Sequence, residues 1–256
     1  MDKNNIEECT GFVVLLDALG MKERMRQKEN ESIEIINQWK ETIDNLQSTQ
    51  QFLKQGLNVT DENRILSLDS SKFKIKGFSD TIIITVETGL QNDNMFNVNL
   101  ADISLYLSMI CYISLSNNIL FRGAISYGKF NRSETMVSGR AMNEAASWFE
   151  ELDMIGVMST PNLSFKIDQI TRSEQRDLKY LVKYDNVILK RGLRGKLWLI
   201  NWIKIAEIII EFPSLDEILL KIYNNNLITP DIYSKYENTY NFINWYREKN
   251  ENSENT

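Results

Sequence analysis

The sequence has no histidine among its 256 residues. Histidine is a frequent general base and metal ligand, so its absence excludes Ser-His-Asp triads, Cys-His pairs and histidine metal sites. There are only two cysteines, Cys9 and Cys111, and neither belongs to a Cys-x-x-Cys pair. This argues against a disulfide framework or a thiolate zinc site and favours a reduced compartment. Any acid–base chemistry therefore falls to carboxylates, lysines, metal ions or the substrate itself.

The sequence also has no excess of basic residues, because its formal net charge is −6 and its pI is about 5.0. A broad face that binds nucleic acid is not expected, although a local basic pocket for a small polyanion is compatible with this charge. Long apolar runs are lacking too, because residues 197–212 are interrupted by Asn201, Lys204, Glu207 and Glu211. With neither a membrane span nor a signal peptide predicted, we expect a cytoplasmic protein.

The pattern of apolar residues predicts an α+β fold, either one large domain or a catalytic core with a smaller appendage. Residues 72–87 are predicted to form a β-hairpin that turns at 77–80. A charged, disordered tail is expected at 248–256. The other predicted strands are 11–17, 121–130, 155–160 and a pair within 184–202. The predicted helices are 21–56, 97–117, 139–152 and two after residue 202. Residues 58–71 are predicted to be irregular, and Pro161 is predicted to mark a boundary.

Two carboxylates stand at predicted strand ends: Asp17 after the first apolar strand, and Asp80 at the tip of the hairpin. If the first strand pairs with the hairpin, both side chains face one end of the sheet, where their repulsion requires a cation. Oxygen ligands without histidine favour Mg²⁺ or Mn²⁺. The structural alternatives are a helix N-cap for Asp17 and turn chemistry for Asp80.

The residues after Asp17 are suited to bind phosphate. Residues 18–21 lead into a predicted helix whose exposed N-terminal amides attract anions, and Gly20 permits close approach. Lys22 adds a positive charge. The sequence therefore predicts a metal ligand and a phosphate site within a few residues.

Four segments, in order, resemble the catalytic domain of class III nucleotidyl cyclases, the family of adenylyl and guanylyl cyclases. VVLLDALGMKE (13–23) is similar to the first metal-aspartate motif of the family, and KGFSDTIIIT (76–85) to the second. FRGAISYGKF (121–130) resembles the strand with an arginine, a small residue, an apolar residue and a glycine. GRAMNEAASW (139–148) resembles the helix that carries glycine and, four residues on, asparagine. The similarity covers roughly residues 11–160.

The resemblance implies a ferredoxin-like, palm-type antiparallel sheet flanked by helices. It implies a cyclase domain at 8–212 that includes the C-terminal hairpin, then a helical extension with the tail at 213–256. Two Mg²⁺ or Mn²⁺ ions are implied for each active site. The implied metal ligands are the carboxylates of Asp17 and Asp80 and the carbonyl of Ala18; the implied phosphate-binding amides are those of Leu19, Gly20 and Met21.

The resemblance also assigns residues to the far side of the site. Asn143 falls on the asparagine that orients the ribose. The transition-state arginine of the family, four residues after that asparagine, is Ser147 here, and losing such a contact can cost on the order of 3 kcal/mol. Arg140, one turn earlier on the same helix, is the candidate replacement, with Arg122 and Arg26 as alternatives.

The base-reading positions differ from those of purine cyclases. Lys76 falls on the lysine that reads the base, but its family partner, an Asp or Thr, is Met136 here. The glycine before the second metal aspartate is Ser79. A smaller, differently lined pocket fits a pyrimidine, and the chain resembles the stand-alone pyrimidine cyclases of bacterial anti-phage Pycsar systems. Residues 187–202, VILKRGLRGKLWLINW, resemble the C-terminal part of those enzymes.

The implied activity is that of a lyase that converts UTP or CTP to the 3′,5′-cyclic mononucleotide and pyrophosphate, as a second messenger in antiviral defence. A separate effector protein would read the product. Family sites form between subunits, so a head-to-tail homodimer is implied, with no nucleic acid or membrane partner. The alternatives are a degenerate nucleotide-binding module, a purine cyclase, and a palm-fold polymerase or dinucleotide cyclase. Neither a GGDEF-like run nor a basic template groove supports the last of these.

Overall fold

The structure, a computed structural model, describes residues 6–21, 26, 28–48, 73–88, 93–174, 178–208, 215–225 and 229–254. The predicted irregular segment 58–71 lies outside the described residues, as do the predicted helix beyond residue 48 and the candidate phosphate ligand Lys22. Within the described ranges, the chain forms one sheet with helices packed against both faces.

The described strands belong to one eight-stranded sheet, and they are β1 (Glu7–Ala18), β2 (Phe73–Phe78), β3 (Thr81–Glu87), β4 (Phe121–Arg132), β5 (Val137–Ser138), β6 (Gly156–Ser159), β7 (Leu181–Ile188) and β8 (Arg194–Ile200). Their order across the sheet is β2-β3-β1-β4-β6-β8-β7, and β5 pairs with β4. The pairing of β4 with β6 is parallel, and the other described pairings are antiparallel. The sheet is therefore predominantly antiparallel.

Strand β1 lies between β3 and β4, and its apolar residues are buried on both faces of the sheet. Side chains alternate between the faces of a strand. Phe12 and Leu16 accordingly join the main core, whereas Val13 and Leu15 join a smaller core on the other face. Asp17 continues the second series and is placed on the face of the smaller core.

The helices of the described ranges are α1 (Glu29–Ser48), α2 (Asp93–Ser116), α3 (Arg140–Trp148), α4 (Pro161–Glu174), α5 (Ile203–Ile208), α6 (Leu215–Asn225) and α7 (Pro230–Glu254). Helix α3 supplies Ala141 and Ala145 to the smaller core. Helices α1 and α2 contribute to the main core, where Trp39 donates a hydrogen bond to Ser114 at 2.7 Å. The face that carries Asp17 is therefore the face covered by α3.

The predicted fold class is confirmed, because a multistranded sheet is flanked by helices. The hairpin lies where the pattern placed it, with strands at Phe73–Phe78 and Thr81–Glu87 and the turn at Ser79 and Asp80. The helix predicted at 139–152 ends earlier, at Trp148. The pairing of β1 with β3, on which the common position of Asp17 and Asp80 depends, is present.

Three features of the C-terminal half differ from the sequence-based expectation. Pro161 begins α4 instead of marking a boundary, which suits proline because the first helical residue needs no intrahelical N–H bond. Three described helices follow Ile200 where two were predicted. The predicted disorder of the tail is wrong as far as Glu254, because α7 continues to that residue and is held by buried Phe242, Ile243 and Tyr246.

One described helix, within α2 at Phe96–Ser116, is long and apolar enough to cross a membrane by length and composition. Most of this segment is buried inside the protein. Its residues Ile103, Leu107 and Ile110 are fully enclosed in the main core. The apolar character of α2 is therefore accounted for by packing against the sheet.

Candidate active site

Asp17 and Asp80 lie side by side at one end of the sheet. Asp17 pairs with Thr81 in the β1–β3 register, and the Ala18 amide donates to the Asp80 carbonyl at 3.0 Å. Burial raises the pKa of the Asp17 carboxyl; the Arg122 guanidinium opposes this rise, and the Asp80 and Glu150 carboxylates add to it. The structure therefore brings the two predicted metal ligands close enough to repel each other.

Arg122 is the third charged side chain at this position. It faces Asp17 across the β1–β4 ladder, and its Nε and Nη2 both donate to Asp17 Oδ2 at 3.1 Å. Its Nη1 donates to the Glu150 carbonyl at 3.0 Å. The Arg122 and Asp17 side chains are only 13% and 16% exposed, so the ion pair is largely removed from solvent. Sequence reasoning named Arg122 only as an alternative to Arg140 for the missing transition-state arginine and did not foresee its contact with Asp17.

The residues present fit a divalent cation of the Mg²⁺ or Mn²⁺ type. Among the described residues, the Asp80 carboxylate has no hydrogen bond or ion pair, and Asp17 uses only Oδ2. No group of three or more acidic or thiol ligands occurs in the described ranges. Two carboxylates and the Ala18 carbonyl are therefore an incomplete ligand set, which suits an ion that also binds water and substrate phosphates.

The turn after β1 offers fewer phosphate-binding groups than the sequence predicted. The Leu19 amide donates to the Leu120 carbonyl at 2.8 Å, so this predicted phosphate ligand is already engaged. Gly20 is exposed and has φ of +76°, a conformation that favours glycine. Met21 is helical with a buried side chain. Of the three predicted phosphate-binding amides, those of Gly20 and Met21 therefore remain as candidates. The predicted contribution of Lys22 lies outside the described residues.

Lys76 and Met136, the two predicted base-reading positions, contact each other. The Lys76 ammonium donates to the Met136 carbonyl at 3.2 Å and also to the Ser133 carbonyl. Burial and the neighbouring Arg132 cation lower the pKa of Lys76, and the Glu134 carboxylate partly opposes them. The main-chain carbonyl of Met136 therefore accepts a hydrogen bond from Lys76, in place of the side-chain oxygen that an Asp or Thr would offer at this position.

The other predicted site residues lie on the exposed surface of α3. Ser126 donates to the Ala141 carbonyl at 2.6 Å, which fixes α3 over the middle of β4. Ser126 is four strand residues from Arg122, roughly 13 Å at about 3.3 Å per residue. Arg140 and Asn143 are exposed on this helix. Within the described residues, no hydrogen bond or ion pair joins Arg140 or Asn143 to the carboxylate of Asp17 or Asp80.

Helix α7 reaches the candidate site from the other end of the chain, and sequence reasoning missed this. Ile232 Cδ1 lies 3.0 Å from the position that a Cβ at Gly20 would occupy. Farther along α7, Lys235 pairs with Asp153, and the Thr239 hydroxyl accepts from the Ile155 amide at 2.8 Å. The sequence feature that could have predicted this packing is the helical spacing of four residues that are buried in the structure, Ile232, Thr239, Phe242 and Tyr246.

No family model matches the chain, and no curated protein sequence matches it. Similar solved structures include the catalytic core of a rhodopsin-guanylyl cyclase with converted specificity in complex with ATPalphaS, at 11% identity over 77% of this chain and 98% of that chain, with a TM-score of 0.47. They also include the non-canonical dimeric guanylyl cyclase domain of the RhoGC fusion protein from the aquatic fungus Blastocladiella emersonii (10% identity, 78% and 98% covered, TM-score 0.46). A third is the adenylate/guanylate cyclase/hydrolase from Silicibacter pomeroyi (14% identity, 77% and 98% covered, TM-score 0.38). Because every one of these TM-scores is below 0.5, we assign no residue of this chain a role from them.

Proposed function

We propose that this protein is a nucleotidyl cyclase, a lyase that forms a 3′,5′-cyclic mononucleotide and pyrophosphate from a nucleoside triphosphate. The observation that carries the proposal is the approach of Asp17 and Asp80 at one end of the sheet, where Asp17 lies directly before the Gly20 turn. Oxygen ligands beside exposed backbone suit a divalent cation that is shared with a triphosphate. The four cyclase-like segments of the sequence are in keeping with this reading.

In the proposed reaction, the 3′-oxygen attacks the α-phosphorus in line and the bond from that phosphorus to the β-phosphate oxygen breaks. Mg²⁺ or Mn²⁺, when bound, would lower the pKa of the 3′-hydroxyl and neutralise charge on the leaving pyrophosphate. Asp17, Asp80 and the Ala18 carbonyl would hold the ions, and the amides of Gly20 and Met21 would bind phosphate oxygens. With no histidine in the chain, solvent, Asp17 or the triphosphate takes the 3′-hydroxyl proton.

We further propose that the substrate is a pyrimidine nucleotide, UTP or CTP. A lysine ammonium has three N–H donors, and two of those of Lys76 are used by the Ser133 and Met136 carbonyls. The remaining donor suits one carbonyl oxygen of a pyrimidine ring. Met136 is 42% exposed, and its side chain adds apolar surface but no strong hydrogen-bonding group for a purine edge.

The active unit in this proposal is a head-to-tail homodimer in the cytoplasm. Support comes from the exposed position of Arg140 and Asn143 on α3, where no described hydrogen bond or ion pair joins them to the carboxylates of their own subunit. In the dimer, Asn143 would orient the ribose and Arg140 would contact the triphosphate at the partner's carboxylates. The cyclic nucleotide would act as a second messenger in antiviral defence and be read by a separate effector protein.

The test is to incubate the purified protein with each of the four NTPs and Mn²⁺ and to measure pyrophosphate and cyclic nucleotide. Cyclic UMP or cyclic CMP is expected, with little product from ATP or GTP. Efficient cyclic AMP or cyclic GMP formation would overturn the pyrimidine assignment but keep the cyclase. Linear or dimeric products would point to a polymerase or dinucleotide cyclase instead.

A second candidate is a module that binds a nucleotide without converting it. Ser147, at the position of the family's transition-state arginine, favours this reading, because its hydroxyl donates to the Asn143 carbonyl of its own helix at 2.8 Å. Nucleotide binding without pyrophosphate release from any NTP, with either Mg²⁺ or Mn²⁺, would establish this alternative.

A further inference from the structure

The ion pair of Arg122 with Asp17 is arranged around a single oxygen. Nε and Nη2 both donate to Oδ2 of Asp17 at 3.1 Å, and no described hydrogen bond reaches Oδ1. Nη1 is held separately by the Glu150 carbonyl at 3.0 Å. The guanidinium is planar and rigid, so three fixed N–H donors define where it lies and how the carboxylate is turned. Oδ1 is thus the oxygen of Asp17 that an entering cation can use.

The same ion pair changes the charge that a cation meets. Without Arg122, Asp17 and Asp80 would present two negative charges to a metal ion. The guanidinium of Arg122 contributes one positive charge, so the three side chains together carry a formal charge of a single negative unit. Because the Asp17–Arg122 pair is largely buried, solvent screens this positive charge only weakly. A divalent cation is therefore attracted less strongly to the free protein than two adjacent carboxylates would suggest.

We infer that Arg122 is a positioning residue that turns Oδ1 of Asp17 toward the ion and keeps the affinity for free metal low, so that metal binding depends on the nucleotide. Arg122 offsets one of the two carboxylate charges, and the triphosphate supplies negative charge in its place. The cation therefore binds tightly only together with the nucleotide. This inference rests on the proposed cyclase function.

The experiment measures Mn²⁺ binding by calorimetry on the full-length protein, with and without a non-hydrolysable UTP or CTP analogue that has a methylene group between the α- and β-phosphates. For the wild type, weak Mn²⁺ binding is expected without the analogue and much tighter binding with it. Arg122→Gln keeps a donor for Oδ2 but removes the charge. It is expected to bind Mn²⁺ at least about tenfold more tightly than the wild type without nucleotide, and to gain less from the analogue.

Two further variants separate charge from geometry and from general effects. Arg122→Lys keeps the charge but loses the planar fork, so its Mn²⁺ affinity should stay near that of the wild type while its turnover falls. Arg247→Gln removes an equal charge from an exposed ion pair with Asp216 and should behave as the wild type in every measurement. If Arg122→Gln does not fold, the Arg122→Lys pattern still decides, since a Mn²⁺ affinity that changes tenfold at constant charge contradicts the inference.

The possible failures are distinguishable. Pyrophosphate release by the wild type, together with equal Mn²⁺ affinities for wild type and Arg122→Gln, overturns the inference and keeps the cyclase. A purely structural Arg122 would lower the unfolding midpoint of Arg122→Gln and leave both Mn²⁺ dissociation constants unchanged. No Mn²⁺ binding by either protein and no product from any NTP would overturn the inference and the proposed function together.

Discussion

Arg122 and Asp17 face each other across the β1–β4 ladder and form a largely buried ion pair in which two nitrogen atoms of the guanidinium share one carboxylate oxygen. Asp80, on the other side of Asp17, has no such partner among the described residues. The two predicted metal ligands therefore differ in what holds them. This difference makes their mutants distinguishable by stability as well as by activity.

Asp80→Ala is expected to abolish turnover and leave the free energy of unfolding nearly unchanged, because no described contact of the carboxylate is lost. Asp17→Ala should also abolish turnover, but it leaves the guanidinium of Arg122 buried without its carboxylate and should cost about 2 to 3 kcal/mol. Urea unfolding followed by circular dichroism, beside a pyrophosphate assay, measures both effects. If Asp80→Ala unfolds while Asp17→Ala does not, the difference derived from the ion pair is wrong, and Asp80 returns to a role in the turn.

Mixing two inactive variants tests whether the site forms between subunits. Asp80→Ala and Asn143→Ala should each lack activity as homodimers. In a mixed dimer, one of the two sites takes its carboxylates and its asparagine from intact positions, while the other site carries both defects. Random exchange gives half mixed dimers, so roughly a quarter of the wild-type activity should return on mixing. Activity that stays at the level of the separate variants after verified subunit exchange argues that Asn143 acts within its own subunit or not at all.

The sequence predicted the Asp17–Asp80 pair because the signals involved are local. A short apolar run ending in Asp17 and a hairpin turning at Asp80 needed only one assumption, that the two elements pair, and β1 and β3 do so. The Arg122–Asp17 contact depends on the register between β1 and β4, in residues 105 positions apart. No composition or spacing rule fixes a register over that distance. The engaged Leu19 amide was missed for the same reason, since its acceptor Leu120 precedes β4.

Lys76 gives the proposed enzyme a specific dependence on pH. Burial and Arg132 lower the pKa of Lys76, so its charge is lost at a lower pH than the usual lysine value of about 10.4. Because a neutral amine is a weaker donor to the base, the KM for the nucleotide should rise with pH before that value is reached, at constant kcat. Measurements with Mg²⁺ across alkaline pH test this. Lys76→Arg stays charged, so its KM should be insensitive to pH over the same range, and parallel profiles for the two proteins would contradict the prediction.

Asp153 should be a main determinant of how α7 is held against the candidate site. Its carboxylate contacts Lys235 at 3.3 Å and accepts from Ser234 at 3.1 Å and from Asn238 at 3.3 Å. Asp153→Ala removes all three contacts, and one of them is an ion pair with Lys235, whose side chain is only 9% exposed. We expect a loss of about 2 to 3 kcal/mol in the free energy of unfolding, measured by urea denaturation.

The matched control is Asp185→Ala, which removes an equal charge from an ion pair with Lys196 whose side chains are 56% and 63% exposed. Exposed ion pairs contribute little, so this variant should lose less than about 1 kcal/mol. Turnover adds a second readout, because the Glu150 carbonyl that orients Arg122 lies three residues before Asp153 and Ile232 of α7 lies against Gly20. Asp153→Ala should therefore lower kcat below the melting transition, whereas Asp185→Ala should not. Equal stability losses for the two variants, with kcat unchanged in both, would mean that α7 contributes nothing to the geometry of the site.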